Sequence, residues 1–314
     1  MSDYKVKIIN PSKKEKLMEV LYSPNLYEQK ASIHGTCVKL FTDSRQFKDM
    51  WEENFEIMPD SIRPHARLFA INNGKKKLEV LYEPISKTVI IYNCNYYGWI
   101  KSIALALVAD FFEDFTSEHR RYSVHGSFVD YGGKGVAIAG PSKSGKTTLT
   151  YGLLLDKRYN FLTDDWFFVR LNQNILVHSS EKNSYIRDDL AQSWPEFAAK
   201  LKDLKCDEQK RAIIDVKKFF GVDRIRKDSV LSIFVILTRN KSLPVLQKLD
   251  PAKAISFMLK NDFCNPHQLI RTEKKKAQRK KFFKQLFARV PVYLLNTIET
   301  PKESLERLKR LVES

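Results

Sequence analysis

The stretch VAIAGPSKSGKT, residues 136–147, decides how this chain is expected to fold. An apolar strand runs into Gly140, and residues 140–147 match the phosphate-loop pattern GxxxxGK[ST] at every fixed position. A helix-forming segment, from about residue 146 to 155, follows the loop. Glycines let the backbone curl so that successive N–H groups point at phosphate oxygens, and the positive end of the helix adds to that field. The pattern therefore predicts a nucleotide-binding loop between a buried strand and a helix.

Two residues of this loop have specific predicted roles. Lys146 would reach the β- and γ-phosphates of the nucleotide, and the Thr147 hydroxyl would complete the coordination of Mg²⁺. The alternative is a glycine-rich turn that binds nothing, but the strand before the loop and the helix after it argue against that interpretation. The predicted nucleotide-binding residues are Gly140, Pro141, Ser142, Lys143, Ser144, Gly145, Lys146, Thr147 and Thr148.

Two adjacent carboxylates, Asp164 and Asp165, end the apolar run that begins at Tyr159. In a parallel sheet the carboxyl ends of the strands line the ligand crevice, so these side chains are expected beside the phosphate loop. One carboxylate could coordinate Mg²⁺ while the other takes a proton from an incoming hydroxyl. An acidic turn or helix cap is the alternative interpretation, because Asp is favoured at such positions.

His125 and Gly126 lie upstream of the loop, in the first strand of a predicted hairpin whose second strand leads into Gly140. His125 is therefore expected on the neighbouring strand, where its side chain could point into the same crevice. Taken alone, His125 would be interpreted as an ordinary packing or surface residue.

The rest of the chain predicts an α/β fold with a mixed sheet of the α+β kind. Short apolar runs separated by polar turns over 36–93 are typical of a mostly antiparallel sheet. Apolar residues at three- and four-residue spacing over 96–115 predict a helix with one buried face. Strands and helices alternate after a soft boundary near residue 118, which separates an N-terminal α+β region, 1–118, from a second domain, 119–314. The last predicted elements are a helix over 272–288, a strand over 290–295 and a helix over 302–312.

Composition narrows the class of protein. Hydrophobic residues make up 43% of the chain, which excludes wholesale disorder, and 54 Lys and Arg against 37 Asp and Glu give a net charge of +17. That surplus favours a polyanionic partner or a phosphorylated ligand. Part of it lies in the basic segment 271–289, which is expected to be a helix with a solvated charged face. The sharper alternative is a surface that attracts an acidic protein, a phosphorylated metabolite or nucleic acid.

The expected location is cytoplasmic. The four cysteines lie far apart with no CxxC pair, which argues against a disulfide scaffold or a zinc ribbon. The start of the chain has no apolar run of signal-peptide length, and the longest apolar stretch, 99–112, is interrupted by charges and shorter than the roughly 20 residues that span a bilayer. No membrane insertion is expected.

The combined motifs resemble the catalytic domain of HPr kinase/phosphorylase and the wider group of HPr-kinase-like, phosphoenolpyruvate-carboxykinase-like P-loop kinases. The resemblance is strong over 122–170, moderate over 205–239 and only topological over 270–312, and residues 1–118 do not resemble the N-terminal domain of the bacterial enzyme. The matching stretches are Ser123-Val124-His125-Gly126, Gly133-Lys134-Gly135-Val136, the loop 140–147, Leu162-Thr163-Asp164-Asp165, and Ala212 to Val216 with Phe219-Phe220-Gly221.

This resemblance implies ATP and Mg²⁺ as cofactors and a role for each matching residue. Asp164 would be the base that deprotonates the acceptor hydroxyl, His125 would assist or orient it, and Lys146 would complete the catalytic set. Asp165 and Thr147 would bind Mg²⁺, and the roles of the two aspartates could be reversed. The acidic-x-Arg-Gly signature of the family is not cleanly present, because the stretch 207–211 has no glycine. That departure puts phosphorolysis in doubt and leaves Glu208, a candidate metal ligand, and Arg211 as weak candidates.

Three functions remain open at this point. The favoured one is a kinase that transfers the γ-phosphoryl group of ATP to a hydroxyl, on a protein serine or on a small molecule. The second is a nucleotide-binding regulatory protein without transfer activity, and the third is a basic nucleic-acid kinase or NTPase, which no recognised nucleic-acid module supports. Residues 1–118 would supply acceptor specificity or oligomerisation. Related kinases often assemble, so a homo-oligomer stays open.

Overall fold

The computed structural model describes residues 4–22, 25–187 and 189–314. The chain forms two compact units, Met1–Phe115 with Pro266–Arg271 and Thr116–Asn265 with Thr272–Ser314. Pro266–Arg271 lies far along the chain from the other residues of the first unit, and no change of composition marks this segment in the sequence.

Within residues 4–22 and 25–115, the first unit contains a seven-stranded sheet in the order β1-β6-β7-β5-β3-β2-β4 and three helices. Its strands are β1 (Val6–Ile8), β2 (Tyr27–Ile33), β3 (Thr36–Thr42), β4 (Glu56–Ile57), β5 (Ala66–Ile71), β6 (Glu79–Glu83) and β7 (Thr88–Tyr92). Its helices are α1 (Pro11–Leu21), α2 (Arg45–Asn54) and α3 (Tyr97–Asp114). The helix predicted over 96–115 is confirmed as α3, but it is buried on nearly every side and not on one face alone.

The sequence predicted a mostly antiparallel sheet here, whereas the observed sheet is evenly mixed. Three of its six strand pairings, β1 with β6, β3 with β5 and β5 with β7, are parallel. Every residue of β7 is buried, and six of the seven residues of β3 are. Continuous burial is typical of strands covered on both faces, as parallel strands usually are. The unbroken apolar run of β7 was the signal that sequence reasoning passed over.

The second unit is built around an eight-stranded mixed sheet with helices on both faces, and a two-stranded sheet, β13 with β14, accompanies it. Its strands are β8 (Arg121–Tyr131), β9 (Lys134–Ala139), β10 (Tyr159–Thr163), β11 (Trp166–Leu171), β12 (Ile175–Ser179), β13 (Asn183–Arg187), β14 (Arg211–Asp215), β15 (Asp228–Thr238), β16 (Leu246–Leu249) and β17 (Val292–Asn296). Its α-helices are α4 (Thr116–His119), α5 (Lys146–Leu154), α6 (Leu190–Ser193), α7 (Ala198–Leu201), α8 (Val216–Phe220), α9 (Pro251–Lys260), α10 (Glu273–Phe287) and α11 (Pro301–Glu313). Short 3-10 turns cover Pro195–Phe197, Val222–Arg224 and Asp262–Cys264.

Strand β9 lies inside this sheet, antiparallel to β8 and parallel to β15. Its side chains alternate between two hydrophobic clusters. Val136 and Ile138 pack with α5 and α11, whereas Ala137 and Ala139 pack with α9 and α10. Burial on both faces explains why the strand is apolar at each of the four positions 136–139 before the loop. The predicted α/β class with a mixed sheet is confirmed.

The described part of the chain contains no helix that combines the length and the apolar character needed to cross a membrane.

Candidate functional site

The loop between β9 and α5 has the backbone of an anion-binding turn. Lys143 and Gly145 both have positive φ, at 65° and 99°, and alternation of left- and right-handed residues turns successive N–H groups toward a common point. A Cβ added at Gly140 would lie 2.8 Å from the carbonyl oxygen of Leu237, so no other residue fits there without a shift of the backbone. The loop that the sequence predicted therefore has a shape that suits a phosphate group.

The Lys146 side chain lies over the loop itself. Its Nζ donates hydrogen bonds to the carbonyl oxygens of Gly140, at 2.8 Å, and Pro141, at 3.1 Å. Burial lowers the pKa of Lys146, and the Cys264 thiol and the Asp165 carboxylate oppose that shift. The ammonium group thus bonds to the loop backbone and interacts electrostatically with Asp165, one of the two predicted acids.

Neighbouring elements hold the loop from outside. Thr297, just after β17, donates from Oγ1 to the carbonyl oxygen of Ser144 at 2.8 Å. Trp194 Nε1 donates to the carbonyl oxygen of Thr148 at 2.7 Å. Neither residue was identified from the sequence, since no local pattern connects them to the loop.

The strand register brings His125 and the two aspartates to the same edge of the sheet as the loop. Gly126 on β8 lies opposite Ala139, the last residue of β9. On the other side of β8, β10 and β11 follow one another, with Asp164 and Asp165 in the gap between them. The N–H of Gly126 donates to the carbonyl oxygen of Asp165 at 2.8 Å. The predicted neighbouring strand for His125 is confirmed.

The two aspartates reach the loop edge of the sheet through an intervening strand. β10 does not pair with β9; β8 lies between them and runs antiparallel to both. Two strands antiparallel to the same strand run in the same direction, so the carboxyl ends of β9 and β10 still meet at one edge. Gly126 allows the close approach, because a Cβ there would lie 2.6 Å from the carbonyl oxygen of Ile138.

Asp165 is paired with His125. The Nε2 atom of His125 lies 3.3 Å from Asp165 Oδ1, and its Nδ1 atom lies 2.8 Å from the carbonyl oxygen of Cys264. A carbonyl oxygen only accepts, so Nδ1 carries a proton in this arrangement. The imidazole is therefore oriented from both sides, toward a carboxylate and toward a backbone oxygen.

The Cys264 carbonyl comes from an unusual turn. Asp262, Phe263 and Cys264 have φ of 47°, 55° and 57°, three successive left-handed residues of which none is glycine. Each such residue costs about 1–3 kcal/mol, and strain of this kind is concentrated at functional sites. Burial raises the pKa of the Cys264 thiol to about 12, although Lys146 opposes the shift. Sequence reasoning treated Cys264 only as a free cysteine.

Asp164 is held by different partners. Ser184 Oγ, on β13, donates to Asp164 Oδ1 at 2.8 Å, and Tyr151 Oη, on α5, is 3.3 Å from Oδ2. Burial and the negative charge of Asp164 raise the pKa of Tyr151. Tyr151 follows Thr147 by one helical turn, which puts both residues on one face of α5. Asp164 is thus tied to the Thr147 face of the helix.

The weakest sequence candidates, Glu208 and Arg211, lie in the turn before β14 and at the first residue of β14. Glu208 is exposed there, and its metal role stays a prediction. Arg211 donates from Nε to the buried carboxylate of Asp207 at 2.8 Å, which gives it a structural partner. Over residues 4–22, 25–187 and 189–314, no three His, Cys, Asp or Glu side chains form a cluster that could hold a metal ion by themselves.

Comparisons with known proteins point to one kind of enzyme. The chain is 28% identical over 134 residues to HPr kinase/phosphorylase of Chlorobium limicola, which is 43% of this chain and 35% of that protein. It is 28% identical over 141 residues to the protein of the same name from Chlorobium luteolum, 45% of this chain and 37% of that protein. The chain spans about a third of the length of these curated relatives. No protein-family model matches it.

A solved structure, that of the HPr(Ser) kinase/phosphatase from Coxiella burnetii, matches 60% of this chain and 96% of its own at 19% identity and a TM-score of 0.34. The relatives of known sequence bear out the resemblance that the motifs predicted: this chain is related to HPr kinase/phosphorylase.

Proposed function

We propose that this protein is a kinase that transfers the γ-phosphoryl group of ATP to a hydroxyl group of a protein or a small molecule. The observation that carries the proposal is the strand register around β8, which groups the loop 140–147, His125 and the aspartate pair at one edge of the sheet. A protein that only senses a nucleotide needs the loop but has no use for an oriented histidine and two carboxylates.

The loop and Lys146 would bind the phosphates of ATP. The N–H groups of the loop and the ammonium of Lys146 would stabilise negative charge on the transferring group. Most of the acceleration would come from this positioning and from holding the acceptor hydroxyl in line.

One aspartate would act as the base and the other would bind the metal ion. The geometry favours Asp165 as the base, which reverses the roles that the resemblance implies. Three observations support this choice. Asp165 is within electrostatic reach of Lys146, it contacts His125, and its side chain is 34% exposed and so accessible to an acceptor. Both oxygens of Asp164 already accept hydrogen bonds, which makes it the poorer proton acceptor.

A magnesium ion fits the remaining groups. Mg²⁺ usually takes one or two carboxylates, substrate phosphates and waters, so a cluster of three protein acids is not required. Thr147 and Asp164 would hold it, with Asp165 and Glu208 as the alternatives from the sequence. When bound, the ion would neutralise charge on the phosphates.

The proposed chemistry defines the phosphoryl acceptor only as a compound with a hydroxyl group. The relatives are named for HPr, and by analogy a protein serine is one candidate here; a small hydroxyl compound is the other. Fold resemblance does not fix a substrate. Residues 1–118 are proposed to contribute acceptor specificity or oligomerisation.

The test is incubation of the protein with γ-labelled ATP, Mg²⁺ and a cellular extract split into metabolite and protein fractions. We expect label in one fraction, and none with Lys146→Ala. ATP binding without any label transfer would contradict the kinase and support a regulatory nucleotide-binding protein. Tight nucleic-acid binding that falls steeply with salt, together with nucleic-acid-stimulated ATP hydrolysis, would instead support the third function.

A further inference from the structure

The side of the loop opposite the aspartates carries a cation that the proposed reaction does not yet use. Strand β15 runs parallel to β9 and β17 runs parallel to β15, so all three end at the loop edge of the sheet. Thr297 joins these ends: its N–H donates to the carbonyl oxygen of Thr238 at 2.8 Å, and its hydroxyl donates to the carbonyl oxygen of Ser144. The next residue after β15 is Arg239.

Arg239 is anchored to this junction by one atom. Its Nε donates to Thr297 Oγ1 at 3.3 Å, and the same hydroxyl bonds to the loop backbone at Ser144. Thr297 therefore links the guanidinium to the loop. The side chain is exposed, and within the described residues it has no carboxylate partner and no other hydrogen bond. Other arginines of the chain bind carboxylates through the same group of atoms: the exposed Arg158 pairs with Asp156, and the half-buried Arg307 pairs with Glu299.

A guanidinium held at Nε presents its two terminal nitrogens as a planar fork, the geometry that recognises a phosphate with two parallel hydrogen bonds. We propose that Arg239 is a second cationic contact for the phosphates of the nucleotide, on the side of the loop away from the aspartates. This inference rests on the proposed function. The aspartates mark the side where the γ-phosphoryl reacts, so Arg239 contacts the end of the triphosphate nearer the nucleoside.

Arg239 and Lys146 then have different tasks. Lys146 lies across the loop toward Asp165, whereas Arg239 reaches the loop through Thr297 and Ser144. The chain thereby binds one triphosphate from two sides.

The test compares dissociation constants of the full chain for ATP, ADP and inorganic tripolyphosphate by calorimetry at fixed salt. Arg239→Ala is expected to weaken all three by about tenfold, the size of a charge-assisted hydrogen bond at an exposed site. Arg239→Lys restores part of the affinity, because it keeps the charge but not the fork. Lys134→Ala, which removes one charge from the opposite end of β9, is the matched control and leaves all three constants unchanged.

Two results would overturn the inference. One is an unchanged ATP affinity in Arg239→Ala while Lys146→Ala loses binding. The other is weaker binding of ATP with unchanged binding of tripolyphosphate, which would place the guanidinium on the base instead. If the unsubstituted protein binds ATP and transfers label normally, either result refutes only the role of Arg239 and leaves the proposed function standing. If it binds no nucleotide at all, the proposed function fails as well.

Discussion

The two sides of the phosphate loop hold their charged groups in different ways. On the β8 side, Asp164 and Asp165 are fixed by the side chains of Ser184, Tyr151 and His125, and His125 is fixed in turn by a backbone carbonyl. On the β15 side, Arg239 has a single anchor and its fork faces solvent. Preorganisation matters most where charge develops during a reaction, whereas a binding contact can close on its ligand. This difference agrees with the proposed function, in which the β8 side would perform the chemistry and the β15 side would bind the nucleotide.

The largest expected effect is that of Asp165→Asn, which removes the proposed base on the β8 side. We expect the turnover number to fall by about 10³-fold, in the range that a general base contributes, while ATP affinity changes little. Asp164→Asn is the matched variant, with a smaller loss that excess Mg²⁺ partly relieves. Steady-state kinetics with measured nucleotide affinities check both. A larger loss in Asp164→Asn than in Asp165→Asn, without relief by Mg²⁺, would exchange the two roles.

A second variant tests whether the close contact between β8 and β9 holds the two aspartates near the loop. Gly126→Ala places a Cβ 2.6 Å from the carbonyl oxygen of Ile138, and we expect a loss of about 2 kcal/mol in the free energy of unfolding. The control is Gly132→Ala, where a Cβ meets nothing within 4 Å and only the positive φ of 57° is unfavourable. Denaturant unfolding of both variants measures the difference. Equal losses would mean that the approach of β8 to β9 is not tight.

A third prediction concerns the partners of Asp164. Ser184→Ala removes one hydrogen bond to Asp164 Oδ1, and we expect about a threefold higher Mg²⁺ concentration for half-maximal activity, because the carboxylate is less firmly oriented. Ser180→Ala, whose hydroxyl instead bonds the Trp166 carbonyl, is the control with no change in Mg²⁺ dependence. If both variants behave alike, Ser184 has only a structural role.

The smallest effect is a difference in thiol reactivity. With a pKa of about 12 and a buried position, Cys264 stays protonated at pH 8, whereas Cys206 is exposed. Alkylation followed by peptide mass spectrometry should therefore modify Cys206 well before Cys264. Comparable rates would show that the Asp262–Cys264 turn opens readily and does not hold His125 firmly.

Much of the fold was predictable because local patterns encode it. The continuous apolar run 136–139, the loop glycines and the helix that begins at Lys146 all depend on residues within a few positions of one another. The direction of strand pairing was not predictable in the first unit. Period-two patterns do not specify whether a partner is parallel. The pairings of β3 with β5 and of β5 with β7, which were expected to be antiparallel, are therefore found to be parallel.

The chemistry of the site divides in the same way. The sequence by itself determined the phosphate loop, the aspartate pair and the histidine, since each is a short motif whose residues are neighbours along the chain. Only the tertiary structure decided that His125 faces Asp165, that Cys264, 139 positions away, orients the imidazole, and that Arg239 stands across the loop. The physical reason is that strand register and the packing of separate segments set these contacts, and neither is written in any local stretch of residues.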